Sequence, residues 1–163
     1  LIKIDKKMKD IQYTKGDATS PQTLGNKIIV HVCNDIGGWG KGFVMAISKR
    51  WKKPENQYRE WFKSKDNFEL GQVQFVQVEE DLWVANLIGQ HKINKDENGG
   101  APIRYNAIEE GLKTVSDFAK TNNASIHMPR IGCGLAGGKW EMIEPIILKT
   151  LSDNNVEVIV YDF

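Results

Sequence analysis

Two glycine-rich stretches carry residue types that can hold a phosphorylated ligand. The first is Asn34-Asp35-Ile36-Gly37-Gly38-Trp39-Gly40-Lys41-Gly42, and the second is Pro129-Arg130-Ile131-Gly132-Cys133-Gly134-Leu135-Ala136-Gly137-Gly138. Glycine reaches positive φ and lets a backbone approach a ligand with no Cβ in the way; Gly134 is read as such a position. Successive N–H groups can then converge on phosphate oxygens, helped by the N-terminus of a following helix. Two such stretches suit a diphosphate held between them, and a pair of tight turns without a ligand is the alternative. Gly132 to Gly137 also satisfies G-x-G-x-x-G. A dinucleotide fold places that pattern in its first strand-to-helix turn, with an acidic residue about twenty positions later. Here the pattern stands late in the chain, with too little after it for a second half. Neither stretch supplies G-x-x-x-x-G-K-[ST], because Lys41 and Lys139 precede Gly42 and Trp140. Nicotinamide redox chemistry and P-loop ATP hydrolysis are therefore disfavoured.

Side chains that move protons lie beside these stretches. His31 stands in Ile28-Ile29-Val30-His31-Val32. An imidazole titrates near neutrality and can give a proton to a departing oxygen; a histidine buried in a strand is the competing reading. Asp35 can orient a water or cap a turn. His91 is a third candidate, with a solvated side chain as its default. Cys133 needs a partner base to act as a nucleophile, and packing of a small apolar group is the plainer account. His31 and Cys33 share a strand face, but two ligands do not make a metal site. Neither a metal nor a cofactor is expected. Asp17 follows Gly16, and its carboxylate either accepts from a ligand amine or closes an Asx turn.

These residues need a frame, and alternating short and long periods supply one. Strands are expected over Ile11–Lys15, Lys27–Cys33, Val73–Val78, Leu82–Ile88, Ser125–Met128 and Val156–Tyr161. Helices are expected around Phe43, Val44, Ile47 and Trp51, over Glu55–Lys65, and through Ile108, Leu112, Val115 and Phe118/Ala119. A last helix carries Ile143, Ile147 and Leu151. Pro145 is tolerated in a helix's first turn, so this helix is expected to start between Glu141 and Glu144. His91 to Pro102 is polar and reads as a mobile loop. Lys49, Arg50, Lys52 and Lys53 form the densest basic patch, read as a solvated helix end.

The 163 residues are 40% hydrophobic and 26% charged, with a formal net charge of +1, which suits one α/β domain over 1–163. That charge gives no broad field for nucleic acid. No apolar run spans a bilayer, and Leu1-Ile2-Lys3-Ile4-Asp5-Lys6 lacks a signal peptide's apolar core. Two cysteines imply no disulfide framework, which agrees with a reducing, cytoplasmic setting.

Gly16-Asp17, His31-Val32-Cys33-Asn34 with the glycines up to Gly42, and Met128-Pro129-Arg130-Ile131-Gly132-Cys133-Gly134-Leu135 resemble the signature stretches of macrodomains. The branch they are most similar to holds ADP-ribose 1″-phosphate phosphatases and terminal ADP-ribose glycohydrolases. The resemblance runs in the same order along nearly the whole chain and includes the closing Val158-Ile159-Val160-Tyr161 strand. It implies a three-layer α/β/α fold with a mixed central sheet and a cleft for ADP-ribose. It further implies that Asp17, beside Ala18, accepts from the adenine amino group. Asn34, Gly38, Gly40 and Gly42 hold the distal ribose on this reading. Ile131, Gly132, Cys133, Gly134, Leu135 and Ala136 wrap the diphosphate, and Tyr161 or Phe163 packs on adenine, with core packing or a frayed terminus as the equal alternative. His31 matches a histidine of the phosphatase-like members, and Asp35 borders the same cleft. The glycohydrolase lysine and aspartate fall on Gln90 and Ala136, so that chemistry is not expected; Lys92 replaces the lysine only with a shifted register. The implied partners are ADP-ribose, ADP-ribose 1″-phosphate or ADP-ribosylated protein, and nucleic acid only through an ADP-ribosylated end. The function expected is a hydrolase acting on a group at the distal ribose; the alternative is a non-catalytic ADP-ribose reader.

Overall fold

A computed structural model describes residues 10–163; the segment Leu1–Lys6 discussed above lies outside them. Six strands form one mixed sheet in the order β1-β6-β5-β2-β4-β3. They are β1 (Gln12–Lys15), β2 (Asn26–Asn34), β3 (Val73–Glu79), β4 (Leu82–Gln90), β5 (Ala124–Met128) and β6 (Val158–Asp162). All neighbours pair in parallel except β3, which forms an antiparallel hairpin with β4.

Alternation in the strands distributes two cores. In β2, Ile28 and Val30 face one way and Ile29, His31 and Cys33 the other, as the two-residue period requires. The first set packs with Ala85, Leu87, Ile126 and Met128 beneath α3 (Tyr105–Asn122) and α4 (Trp140–Thr150). Ile108, Leu112, Val115 and Ala119 form the buried stripe of α3, at the spacing read from the sequence. The opposite face is covered by α1 (Phe43–Arg50) and α2 (Lys53–Ser64), whose Val44, Ile47 and Tyr58 meet Ile29, Cys33, Trp39 and Val84. The result is the expected α/β/α sandwich.

The start of α4 needs correction. It begins at Trp140, which leaves Pro145 in the second turn. A proline there withholds the N–H that the carbonyl of Glu141 would otherwise accept. Glu141 and Pro145 are both exposed, so water can satisfy that carbonyl, while Ile143 and Ile147 stay fully buried and hold the helix to the sheet. Packing has overridden local preference.

Candidate functional site

The two glycine loops occupy equivalent places. The first leaves the C-terminal end of β2 and enters α1; the second leaves β5 and enters α4. Since β2 and β5 are adjacent parallel strands, the loops face one another, and between them opens a cleft of about 720 Å³. That lies within the usual span of ligand pockets, roughly 300–1,000 Å³.

In the first loop Asn34 acts as an internal organiser. Its Oδ1 accepts from the N–H groups of Ile36 (3.1 Å) and Gly38 (2.9 Å), and its Nδ2 donates to the carbonyl of Gly38 (2.9 Å). The Tyr58 hydroxyl adds a further bond to Oδ1 at 3.0 Å. Asn34 thus shapes the loop from which Gly38, Gly40 and Gly42 line the cleft. In the second loop, Gly138 N–H donates to Gly132 O at 2.7 Å and Gly137 N–H to Gly134 O at 3.1 Å. Ala136 O takes the N–H of Ile103 at 3.1 Å. The N–H groups of Gly40, Gly134, Leu135 and Ala136 have no hydrogen-bond acceptor among the described residues. Cys133 sits in the same loop, packed against the larger core rather than lining the cleft.

The cleft mouth is narrowed by two aliphatic side chains. Leu135 reaches to within 3.4 Å of where a Cβ on Gly42 would stand, and Ile93 to within 3.0 Å of the same point on Gly38. Arg59, Gln90, Asn94 and Arg130 also line the cleft. Sequence reading gave none of them a binding role, although Arg130 stood inside a quoted stretch. Its guanidinium is held by Asp162 at 2.6 and 3.0 Å, 32 residues away, and faces the rings of Tyr13 and Trp140.

Asp17 closes the Asx turn weighed above: Oδ1 accepts from the Thr19 N–H (2.8 Å) and hydroxyl (2.6 Å), and Oδ2 from Arg50 at 3.2 Å. Burial pushes its pKa up, but the bonds from Thr19 and Arg50 outweigh that and hold it below the ordinary carboxylate value. Part of the basic patch is therefore not merely solvated. Arg50 ties the end of α1 to the loop after β1, and Lys53 donates to Gln77 O at 2.9 Å. Ala18, beside Asp17, is buried. Tyr161 places its hydroxyl 2.7 Å from Nδ1 of His127, whose Nε2 meets Ser125 at 2.8 Å. Phe163 is fully exposed.

At His31, expected as a proton donor, the structure shows the buried histidine of the competing reading. His31 touches the inner wall of the cleft but is only 2% exposed. Its Nε2 bonds Asn86 Oδ1 at 2.5 Å, and its ring packs against Trp39 and Phe43. Burial drives its pKa down to about 4, the Asn86 bond opposing only in part. The imidazole is neutral at pH 7 and carries no surplus proton. Cys33 Sγ lies 3.8 Å from it, with burial pushing that thiol up. Among the described residues no cluster of three or more possible metal ligands occurs.

Asp35 and His91 do meet. Asp35 Oδ2 lies 2.7 Å from His91 Nδ1, and Oδ1 accepts the Lys92 N–H at 2.7 Å. The His91–Pro102 segment is thereby pinned at its start, and again by His91 N–H to Pro102 O at 2.8 Å. Asp96 closes its tip by accepting from Asn98 and Gly100.

No protein-family model matches the chain. Among solved structures, a macrodomain protein from Streptomyces coelicolor superposes with a TM-score of 0.85 at 51% identity, covering 94% of this chain and 99% of that one. The chain belongs to the macrodomain family. A chromodomain-helicase-DNA-binding protein 1-like protein of Danio rerio is 34% identical over 160 residues, 93% of this macrodomain. The chain spans only 15% of that relative's length. An ADP-ribose 1″-phosphate phosphatase of Candida albicans is 27% identical over 82% of this macrodomain and 89% of its own length. No helix among the described residues is long and apolar enough to cross a membrane.

Proposed function

We propose that this macrodomain binds ADP-ribose or a derivative in the cleft and hydrolyses a group attached to the distal ribose, ADP-ribose 1″-phosphate being the first substrate to test. The observation that carries the reading is the set of unengaged backbone donors on two facing glycine loops, each followed by a helix N-terminus. A diphosphate spanning the loops would satisfy those donors together. On this reading Ile131, Gly132, Gly134, Leu135 and Ala136 wrap the diphosphate with Cys133 packed behind them, and Gly38, Gly40 and Gly42 form the wall of the distal ribose with Asn34 behind them. Asp17, with Ala18 beneath it, keeps lone pairs for the adenine amino group, since a carboxylate offers about four acceptor sites. The Tyr161 ring packs at the adenine end. The Candida relative's name supports the phosphatase reading. Gln90 and Ala136, where a lysine and an aspartate would serve glycohydrolysis, favour a reader as the second possibility. Two free cysteines fit a cytoplasmic setting.

Calorimetry with ADP-ribose, AMP and GDP-ribose tests the site. ADP-ribose is expected to bind most tightly, because a guanine analogue lacks the amino donor that Asp17 would accept. Equal affinity for GDP-ribose removes the adenine assignment, and no binding of any of the three removes the function. Turnover of ADP-ribose 1″-phosphate, followed as phosphate release, separates hydrolase from reader.

A further inference from the structure

Hydrolysis at the distal ribose needs a group that can take a proton from water, and the chain holds three histidines. Two of them are spent on packing. His31 is bonded to Asn86, and His127 is fully buried between Ser125 and Tyr161. Burial holds both near pKa 4. His91 differs in each respect. Its side chain is 42% exposed, its Nδ1 meets a carboxylate, and its Nε2 has no partner among the described residues.

We infer that Asp35 and His91 form the acid–base pair of this site, with His91 Nε2 as the base that activates water and Asp35 as its positioning residue. The inference rests on the ADP-ribose reading above. Three observations support it. Asp35 is only 16% exposed and is anchored by the Lys92 N–H on its second oxygen, so both carboxylate oxygens are held against the His91 segment. An anchored carboxylate on Nδ1 selects the tautomer that leaves Nε2 unprotonated and basic, and stabilises the imidazolium that forms. Second, the pair stands at the C-terminal ends of β2 and β4, adjacent parallel strands whose loops are tied by Asp35 N–H to Gln90 O at 3.0 Å. Third, Asn34, Gln90, Ile93 and Asn94, within three positions of the pair in the chain, line the cleft, while Asp35 and His91 stand just outside its lining. The pair therefore stands at the rim on the side of the first loop. A group carried on the distal ribose would emerge there, and water can reach it from outside.

In the step itself, His91 Nε2 takes a proton from water while the water oxygen forms a bond to C1″ of the distal ribose. The C1″–O bond to the phosphate breaks, and its electron pair stays on the phosphate oxygen. The imidazolium returns the proton to that phosphate, so ADP-ribose and hydrogenphosphate leave and the pair is reset. The charged neighbours bordering the site are Lys41 of the first loop, Arg59 of α2, Arg130 of the second loop and Lys92 beside His91.

The test compares wild type, His91→Gln, Asp35→Asn and Asp35→Glu in steady-state turnover of ADP-ribose 1″-phosphate, with calorimetric binding of ADP-ribose alongside. His91→Gln should lower kcat by about 10²–10⁴-fold, the usual loss of a positioned base, with ADP-ribose affinity unchanged. The acid limb of the wild-type kcat/KM profile should vanish in that variant. Asp35→Asn should also lower kcat and shift that limb, and Asp35→Glu should recover part of the loss, which a purely structural latch would not do. His91 is half-exposed, so its replacement should leave the melting temperature within a few degrees of wild type. Wild-type turnover in His91→Gln overturns the pair while leaving the ADP-ribose reading intact. So does parallel loss of binding and turnover in His91→Gln and Asp35→Asn, which would mark a latch. A wild type that binds ADP-ribose but turns nothing over overturns it in favour of a reader. A wild type that binds no ADP-ribose fails the underlying reading, and the pair with it.

Discussion

At Gly134 an added Cβ would meet nothing within 4 Å, whereas at Gly138 it would lie 2.5 Å from the carbonyl oxygen of Gly132. The glycines of the second loop therefore serve different ends. Positive φ belongs to Gly132 (+72°) and Gly137 (+75°), and the expectation that Gly134 supplies it is corrected. Gly134 instead leaves open the space a ligand would use. Gly134→Val is expected to abolish ADP-ribose binding in calorimetry with an unchanged melting temperature; normal binding would mean the loop is no phosphate cradle. Gly132→Ala should behave differently, because its Cβ would come 2.4 Å from Ile103 and 3.1 Å from Ile143. It should cost about 1–3 kcal/mol in chemical denaturation, the range for overpacking plus a disfavoured φ. Much of this site was legible in the sequence, because glycine density and a histidine-bearing strand are local signals. The Asp35–His91 pairing joins residues 56 apart, and Arg130–Asp162 residues 32 apart. No local pattern announces either one, since each depends on which strands become neighbours.

The elements were legible where periodicity was strong and least so where packing competed with a local rule. α3 carries an uninterrupted apolar stripe, and its position follows from that stripe alone. The strand β2 is recognisable for the same reason, its run of β-branched residues being covered on both sides. In α4 the proline rule misplaced the start, because burial of Ile143 and Ile147 outweighs one missing hydrogen bond on an exposed face. If that account holds, Pro145→Ala restores the bond to Glu141 without disturbing the core. The variant should be more stable by about 1–2 kcal/mol in urea titration, less than the full helix penalty because proline also restricts the unfolded chain. A destabilised variant would show that the ring itself packs usefully.

Across the whole molecule, two histidines are held neutral by burial, and this has a direct consequence for stability. The pKa values of His31 and His127 fall from 6.5 to about 4. Above pH 6.5 both folded and unfolded chains hold these groups neutral, so they contribute no slope. Between pH 6.5 and 4 the unfolded chain takes up protons that the folded chain refuses. Stability must then fall as pH falls, by about 1.4 kcal/mol per pH unit for each group at the steepest. Denaturation midpoints at pH 8, 7, 6 and 5 should be level over the first two and drop over the last two, with a shallower drop in His127→Gln. Midpoints that stay level down to pH 5 would contradict the burial described for both rings.

The sheet also divides the molecule unequally. Beneath α3 and α4 lies the larger buried cluster, while α1 and α2 cover a smaller one that includes Trp39, on the first glycine loop. Regions with fewer buried contacts open at lower free energy than the molecule as a whole. Amide hydrogen exchange should therefore find α1 and α2 exchanging through partial opening while α3 and β5 wait for global unfolding. Each glycine loop leads into a helix on a different side of the sheet, so a ligand lodged between the loops would staple the weaker layer to the stronger. Saturating ligand should slow exchange most in α1 and α2, which lend Val44 and Arg59 to the cleft, and draw their opening energy towards the global value.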